Sequence, residues 1–198
     1  MNVGYSQAVV LEMPFFKIMG AAPTHTDKHV MVLKASCLDT PLGPMIAIAD
    51  EGLLYLLEFV DRRSLGREVE RLRIKTKAAI VPGCTDPIRS IEKELADYFK
   101  GRLKVFKTPL RLLGSPFQQR VWNALIQIPY GETRSYTEQA ISIDKPTACR
   151  AVAGANGANQ LALVIPCHRI INSNGELGGY GAGIVRKKWL IDHEKQNR

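Results

Sequence analysis

The sequence predicts an α+β protein: a small N-terminal antiparallel sheet with helices, followed by a mostly helical C-terminal half containing a helix-turn-helix. Three observations carry this. Between residues 30 and 60, short apolar runs are divided by Asp39-Thr40-Pro41-Leu42-Gly43 and Asp50-Glu51-Gly52, the pattern of strands joined by tight turns. From Ser64 onward, apolar residues recur mainly at helical spacing, with caps and breakers at the segment ends. The 198 residues are 45% hydrophobic and 23% charged, a folded rather than a disordered composition, in a chain long enough for one generous domain or two small ones.

Residues 1–29 scatter Gly4, Pro14, Gly20 and Pro23 among short apolar patches, so an irregular, loosely docked extension is expected there. Strands are expected over 30–36, 44–49 and 53–60. Ser64 caps a helix to about Arg73. Asp86 with Pro87 opens a stronger one, whose Ile88, Ile91, Leu95 and Phe99 share a face until Gly101. Residues 102–114 read as a connector. The chain is thus divided into an extension (1–29), an N-terminal α/β domain (30–108) and a C-terminal domain (109–198).

In the second half, Ser115-Pro116 is a cap with proline at the first helical position, and Phe117, Val121, Trp122 and Leu125 line the helix that Pro129-Tyr130-Gly131 stops. A short helix from near Ser135 to Ser142, a turn at Asp144-Lys145-Pro146 and a second short helix to about Asn156 form the helix-turn-helix pattern, which occurs in DNA readers and in ordinary cores alike. Residues 161–165 (LALVI) read as a buried strand, and 185–194 as a closing helix with Trp189 and Leu190 inward. The glycine loop 178–183 lacks the Gly-Lys-Ser/Thr ending of a phosphate loop.

Composition narrows the partners. With 27 Lys/Arg against 19 Asp/Glu the net charge is +8, favouring a polyanion such as nucleic acid or an acidic membrane surface. No apolar run is long enough to span a bilayer, and residues 1–20 lack the pattern of a signal peptide; a cytoplasmic or nuclear protein without membrane partners is expected. Cys37, Cys84, Cys149 and Cys167 are widely spaced, which indicates neither a disulfide framework nor a zinc knuckle. The first three are read as plain buried apolar residues.

Cys167 differs. In Pro166-Cys167-His168-Arg169, following an apolar run, the neighbouring cations favour a thiolate, the nucleophilic form. Adjacent residues in extended chain face opposite ways, so His168 reaches Cys167 only across a turn or through a water. Glu194 is a candidate to orient the imidazole.

These residues, with Arg150-Ala151-Val152 and Asn159 upstream, Gly179-Tyr180 downstream, and Tyr130-Gly131-Glu132-Thr133, Ser135-Tyr136 and Gly114-Ser115-Pro116-Phe117-Gln118 before them, resemble the O6-alkylguanine-DNA alkyltransferases. The resemblance covers about residues 90–194 densely and the meander more loosely. It implies a ribonuclease H-like first domain and a winged-helix-like second one that binds DNA and accepts the alkyl group. It implies a DNA repair protein, a transferase that removes methyl or other alkyl groups from O6-alkylguanine, with O4-alkylthymine as a second candidate, in double-stranded DNA after base flipping. By the same resemblance, transfer to Cys167 would be irreversible and once per chain, by a monomer without cofactor. His168 would act as base through a water, Glu194 would hold it, and Tyr136 would protonate the leaving guanine. In the same pattern Arg150 would fill the hole left by the flipped base, Ala151 and Gly154 would belong to the face approaching the minor groove, Asn159 would tie the chain near the active-site turn, carbonyls of Val164 and Cys167 would hold the guanine amine, and Tyr180 would line the pocket. Gly181 stands where vertebrate members carry serine, and Ala162 and Ala182 imply room at the pocket rim. No metal is expected: residues 50–55 lack the ligands of the vertebrate zinc site, and His25, His29, Cys37 and Cys84 would make only an improvised one.

Three other classes meet the same residues. A cysteine hydrolase would use Cys167 and His168, but protease dyads are distant in sequence. A non-catalytic lesion binder has no use for an acceptor cysteine, and a transcription factor leaves Pro-Cys-His-Arg unexplained.

Overall fold

The computed structural model describes residues 31–198; the extension expected at 1–29, with His25 and His29 of the improvised metal site, lies outside them. Three strands follow in order: β1 (Val32–Leu38), β2 (Met45–Ala49) and β3 (Leu54–Phe59). They pair antiparallel, Lys34 opposite Ala49 and Ile46 opposite Glu58. The sheet is nevertheless not wholly antiparallel. A fourth strand, β4 (Ala79–Pro82), adds to β1 in parallel, giving the order β3-β2-β1-β4. Four residues carry too short a pattern to be read, and the strand exists because Lys77 ends the preceding helix in a left-handed conformation and returns the chain to the sheet edge. Pro82 is tolerated there because an edge strand needs no second donor.

Both faces of the sheet are covered, which is why β2 and β3 are buried throughout rather than on alternate residues. On one side, Leu33, Ala35, Ile46, Ile48 and Leu56 pack with Leu65, Val69 and Leu72 of α1 (Leu65–Thr76). On the other, Met45, Ala47, Leu57 and Phe59 pack with Ile88, Ile91, Leu95 and Tyr98 of α2 (Asp86–Phe99). That second core continues into the C-terminal half through Val121, Trp122, Leu125, Val152 and Leu161. Backbone contacts reinforce the join: the Leu57 amide donates to Gln160 O (2.9 Å) and the Ala162 amide to Leu57 O (2.8 Å).

The C-terminal helices are α3 (Pro116–Ile126), α4 (Tyr136–Ser142), α5 (Cys149–Gly157) and α6 (Ile184–Gln196). Reciprocal capping boxes start α3 (Ser115 with Gln118) and α4 (Ser135 with Glu138). A two-residue parallel pair, β5 (Arg134–Ser135) with β6 (Ile170–Ile171), ties the start of α4 to the chain beyond Cys167. Residues 161–165 are not a strand. After one bridge, Leu161 to Leu57, they coil into tight turns, Val164 N to Ala162 O and Ile165 N to Leu161 O, with Leu163 at φ 67°. An apolar run looks the same in a buried turn as in a strand. Among the described residues, no helix is long and apolar enough to cross a membrane.

Candidate active site

Cys167 opens a single 3₁₀ turn, Cys167–Arg169, which rotates each side chain about a third of a turn from the last and sends three neighbours to three destinations. Upstream, Asn159 shapes the approach. Its Oδ1 accepts from the Leu161 amide (2.9 Å), while its Nδ2 donates to Ile165 O (2.9 Å) and to Cys167 Sγ (3.3 Å). The side chain thereby substitutes for strand pairing and holds the left-handed Leu163, a conformation costing a non-glycine residue about 1–2 kcal/mol.

His168 is fully buried. Its Nε2 lies 2.8 Å from Glu194 Oε1, and its buried Nδ1 has no hydrogen-bond partner among the described residues. Burial dominates its titration and lowers its pKa despite the carboxylate, so the ring is neutral at pH 7. Since an ionised Glu194 only accepts, Nε2 carries the proton and Nδ1 is the free base.

Glu194 collects an unusual set of donors. Tyr98 Oη (2.8 Å) and Arg169 Nη2 (3.0 Å) join His168 at Oε1, and Arg169 Nε (2.8 Å) and the Gly131 amide (3.1 Å) reach Oε2. Burial opposes its ionisation, but hydrogen bonds from His168 and Arg169 and the Arg169 charge outweigh it and hold the carboxyl far below the usual range. Gly131, at φ 76°, must be glycine twice over, because a Cβ there would meet Glu194 O at 2.9 Å.

Cys167 itself departs from the sequence expectation of a ready thiolate. Burial raises its pKa above the ordinary value, with the Asn159 hydrogen bond and the charges of Arg62 and Lys187 pulling down and Glu58 pushing up. The resting group is a thiol that needs a base. Cys37 and Cys84, expected inside, are exposed, and Cys149 is half-buried.

Cys167 faces a cavity of about 390 Å³ lined also by Tyr136, Tyr180, Ala153, Asn156, Gly157, Gly179 and Gly181. Burial, then the nearby Cys167, raises the Tyr136 hydroxyl's pKa, so it keeps its proton at neutral pH. The Tyr180 ring stands edge-on to His168, with centroids 6.4 Å apart. Arg150, Ala151 and Gly154 lie on the exposed face of α5, and Gly154 has open space where a Cβ would project. Val164 is buried in the turn before Cys167. Ala162 and Ala182 are not at the cavity rim. Both are buried and line, with Glu58, Arg62 and Asn159, a space of about 10 Å³ behind Cys167, too narrow to widen the pocket.

Sequence reasoning missed four groups. Asn156 turns inward from α5 and exchanges hydrogen bonds with Gln139 of α4, donating at 2.7 Å and accepting at 3.2 Å. Lys187, in the basic run Arg186-Lys187-Lys188, is fully buried, donates to Gly179 O (3.2 Å) and is pushed down to about 8 by burial. Glu58 is buried within β3 and burial pushes it up to about 7. Arg62 pairs with it. Lone charges in apolar or basic stretches carry no signal that they turn inward.

Comparison with known proteins agrees with this geometry. The family described as 6-O-methylguanine DNA methyltransferase, DNA binding domain, matches residues 116–196. A methylated-DNA–protein-cysteine methyltransferase of Mycobacterium tuberculosis is 41% identical over 158 residues, 80% of this chain and 90% of its own length. One of Methanosarcina barkeri is 39% identical over 160 residues, 81% and 96%. The crystal structure of Mycobacterium tuberculosis OGT in complex with DNA superposes with a TM-score of 0.71 at 40% identity, covering 84% of this chain and 94% of that one. With two such relatives at about 40% identity, each matched over nine-tenths or more of its own length, the chain belongs to the methylated-DNA–protein-cysteine methyltransferase family.

Proposed function

We propose that the protein repairs double-stranded DNA by moving an alkyl group from O6 of guanine to Cys167, irreversibly and once per chain. One observation carries this reading: Cys167 lines a cavity together with two tyrosines, and the buried histidine beside it has one nitrogen oriented by a carboxylate and the other without a partner among the described residues. His168 Nδ1, through a bridging water, takes the thiol proton, and Glu194 stabilises the imidazolium that forms. The thiolate attacks the alkyl carbon in line; an S–C bond forms as the C–O6 bond breaks. Tyr136 gives its proton to the leaving guanine. A thioether is not hydrolysed as an acyl-enzyme is, so no step restores the thiol.

The target carbon is unreachable inside a duplex, so the nucleotide is flipped into the cavity at a cost of a few kcal/mol. The exposed small residues Ala151 and Gly154 let α5 approach the minor groove, and Arg150 fills the vacated stack. Asn159 holds the turn and the sulfur, carbonyls of Val164 and Cys167 accept from the guanine amine, and Tyr180 walls the base. We read the first half as ribonuclease H-like, which three antiparallel strands followed by a parallel fourth support, and the second as winged-helix-like, with β5 and β6 as a minimal wing. A monomer suffices.

The test is intact-mass analysis after incubation with a duplex containing O6-methylguanine. A gain of about one methylene (~14 Da), confined to the Cys167 peptide and saturating at one per chain, is expected. Binding of the lesion duplex without mass gain would instead make the protein a lesion binder.

A further inference from the structure

Arg62 hydrogen-bonds the sheet half of the molecule to the chain leading into the reactive turn. It lies just after β3, and its side chain is only 7% exposed. Its Nη2 donates to Gly157 O (2.7 Å) and its Nη1 to Asn159 O (2.9 Å), while Glu58 and Glu68 (3.0 Å) accept from the same two nitrogens. Gly157 ends α5 and lines the cavity; Asn159 carries the amide on Cys167 Sγ. One planar group thus grips the backbone at the end of the DNA-facing helix and again two residues on, where the chain leaves for the nucleophile.

Burying this cluster is not a cheap route to stability. Replacement of buried ion pairs by apolar residues is often neutral or stabilising, so fixed geometry is the better account of a guanidinium with its Nε left unpartnered. Gly181 supplies the complementary half. A Cβ there would fall 3.0 Å from Arg62 Cζ and 3.1 Å from its Nε and Nη2, tighter than a Cβ ordinarily packs, so the guanidinium would have to shift by a few tenths of an ångström. Gly181 therefore borders the cavity on one side and gives Arg62 its seat on the other.

We propose that Arg62 is a positioning residue for alkyl transfer: seated against Gly181, it holds Gly157 and Asn159 and through them the Cys167 sulfur and the cavity wall. This rests on the reading of Cys167 as the alkyl acceptor. A bidentate grip on two carbonyls is beyond a lysine, so Arg62→Lys keeps the charge and loses the geometry.

A double-mutant cycle on the whole chain tests it, with Arg62→Ala, Gly181→Ala and the pair, reading the single-turnover rate of Cys167 alkylation from an O6-methylguanine duplex and from the free O6-methylguanine base. Each single variant is expected to slow both reactions about tenfold or more. Gly181→Ala is expected to add nothing once Arg62 is alanine. Equal factors in the two backgrounds, or parental rates in Arg62→Ala and Arg62→Lys with only the melting temperature lowered, would overturn the proposal. Iodoacetamide labelling of Cys167, read by peptide mass, repeats the cycle without DNA or lesion. The same non-additivity there, with no methyl transfer by the parent chain, would sink the alkyltransferase reading and leave the role of Arg62 standing.

Discussion

At the scale of single residues, the site is governed by where charge is allowed. Glu194 is ionised in a buried setting because donors surround it, and this makes a prediction with a definite sign. Its folded pKa lies below the unfolded value of about 4.3, so its contribution to stability is fully present above that pH and is lost as the pH falls toward the folded value. Glu194→Gln leaves Arg169 buried and underpaired and should cost about 3–5 kcal/mol at pH 7. In acid titrations followed by circular dichroism, the gap between parent and variant should begin to narrow below about pH 4 and keep narrowing as the pH falls further. His168 shifts in the same direction for a different reason: burial lowers its pKa from 6.5, so the base is already neutral at pH 7. A plot of alkyl-transfer rate against pH should therefore show its acid limb below 6.5. A limb at 7 or above would mean that another group accepts the proton.

At the scale of elements, α4 and α5 are locked by polar groups facing inward. The Gln139–Asn156 amide pair and the bond from Trp122 Nε1 to Ala155 O (2.8 Å) fix the angle at which α5 presents its small residues. Asn156→Ala strands the Gln139 amide and should cost about 1–3 kcal/mol in urea unfolding, with a further loss of affinity for duplex DNA as α5 loosens. The helix starts were legible in sequence because Ser115 and Ser135 act locally, within one turn of their own helices. The short parallel strand β4 and the coiled turn at residues 161–165 were not. β4 is recruited by the edge of β1, and the turn by the Asn159 side chain, so neither is decided by its own residues.

At the scale of the whole molecule, the two halves share one apolar core, from Phe59 and Tyr98 to Val152 and Leu190. Residues 109–198 produced alone would expose the groups that pack on β3 and α2, and should show no cooperative melt comparable to that of the full chain. The same interdependence explains what the sequence could show of the site. Cys167, His168 and Glu194 stand out through a local motif and a family pattern, whereas Arg62 is one arginine among many until 97 residues of chain bring it to Asn159. Such separations also bear on synthesis. The site draws on Glu58 and Arg62 early in the chain and on Glu194 late, so a ribosome delivers the sulfur before the carboxylate that orients its neighbour. A nascent chain ending just past Cys167 has a thiol but no oriented base, and competence to react arrives in a single late step when α6 docks. For a protein spent after one event, that order keeps the sulfur from being consumed before the fold that directs it is complete.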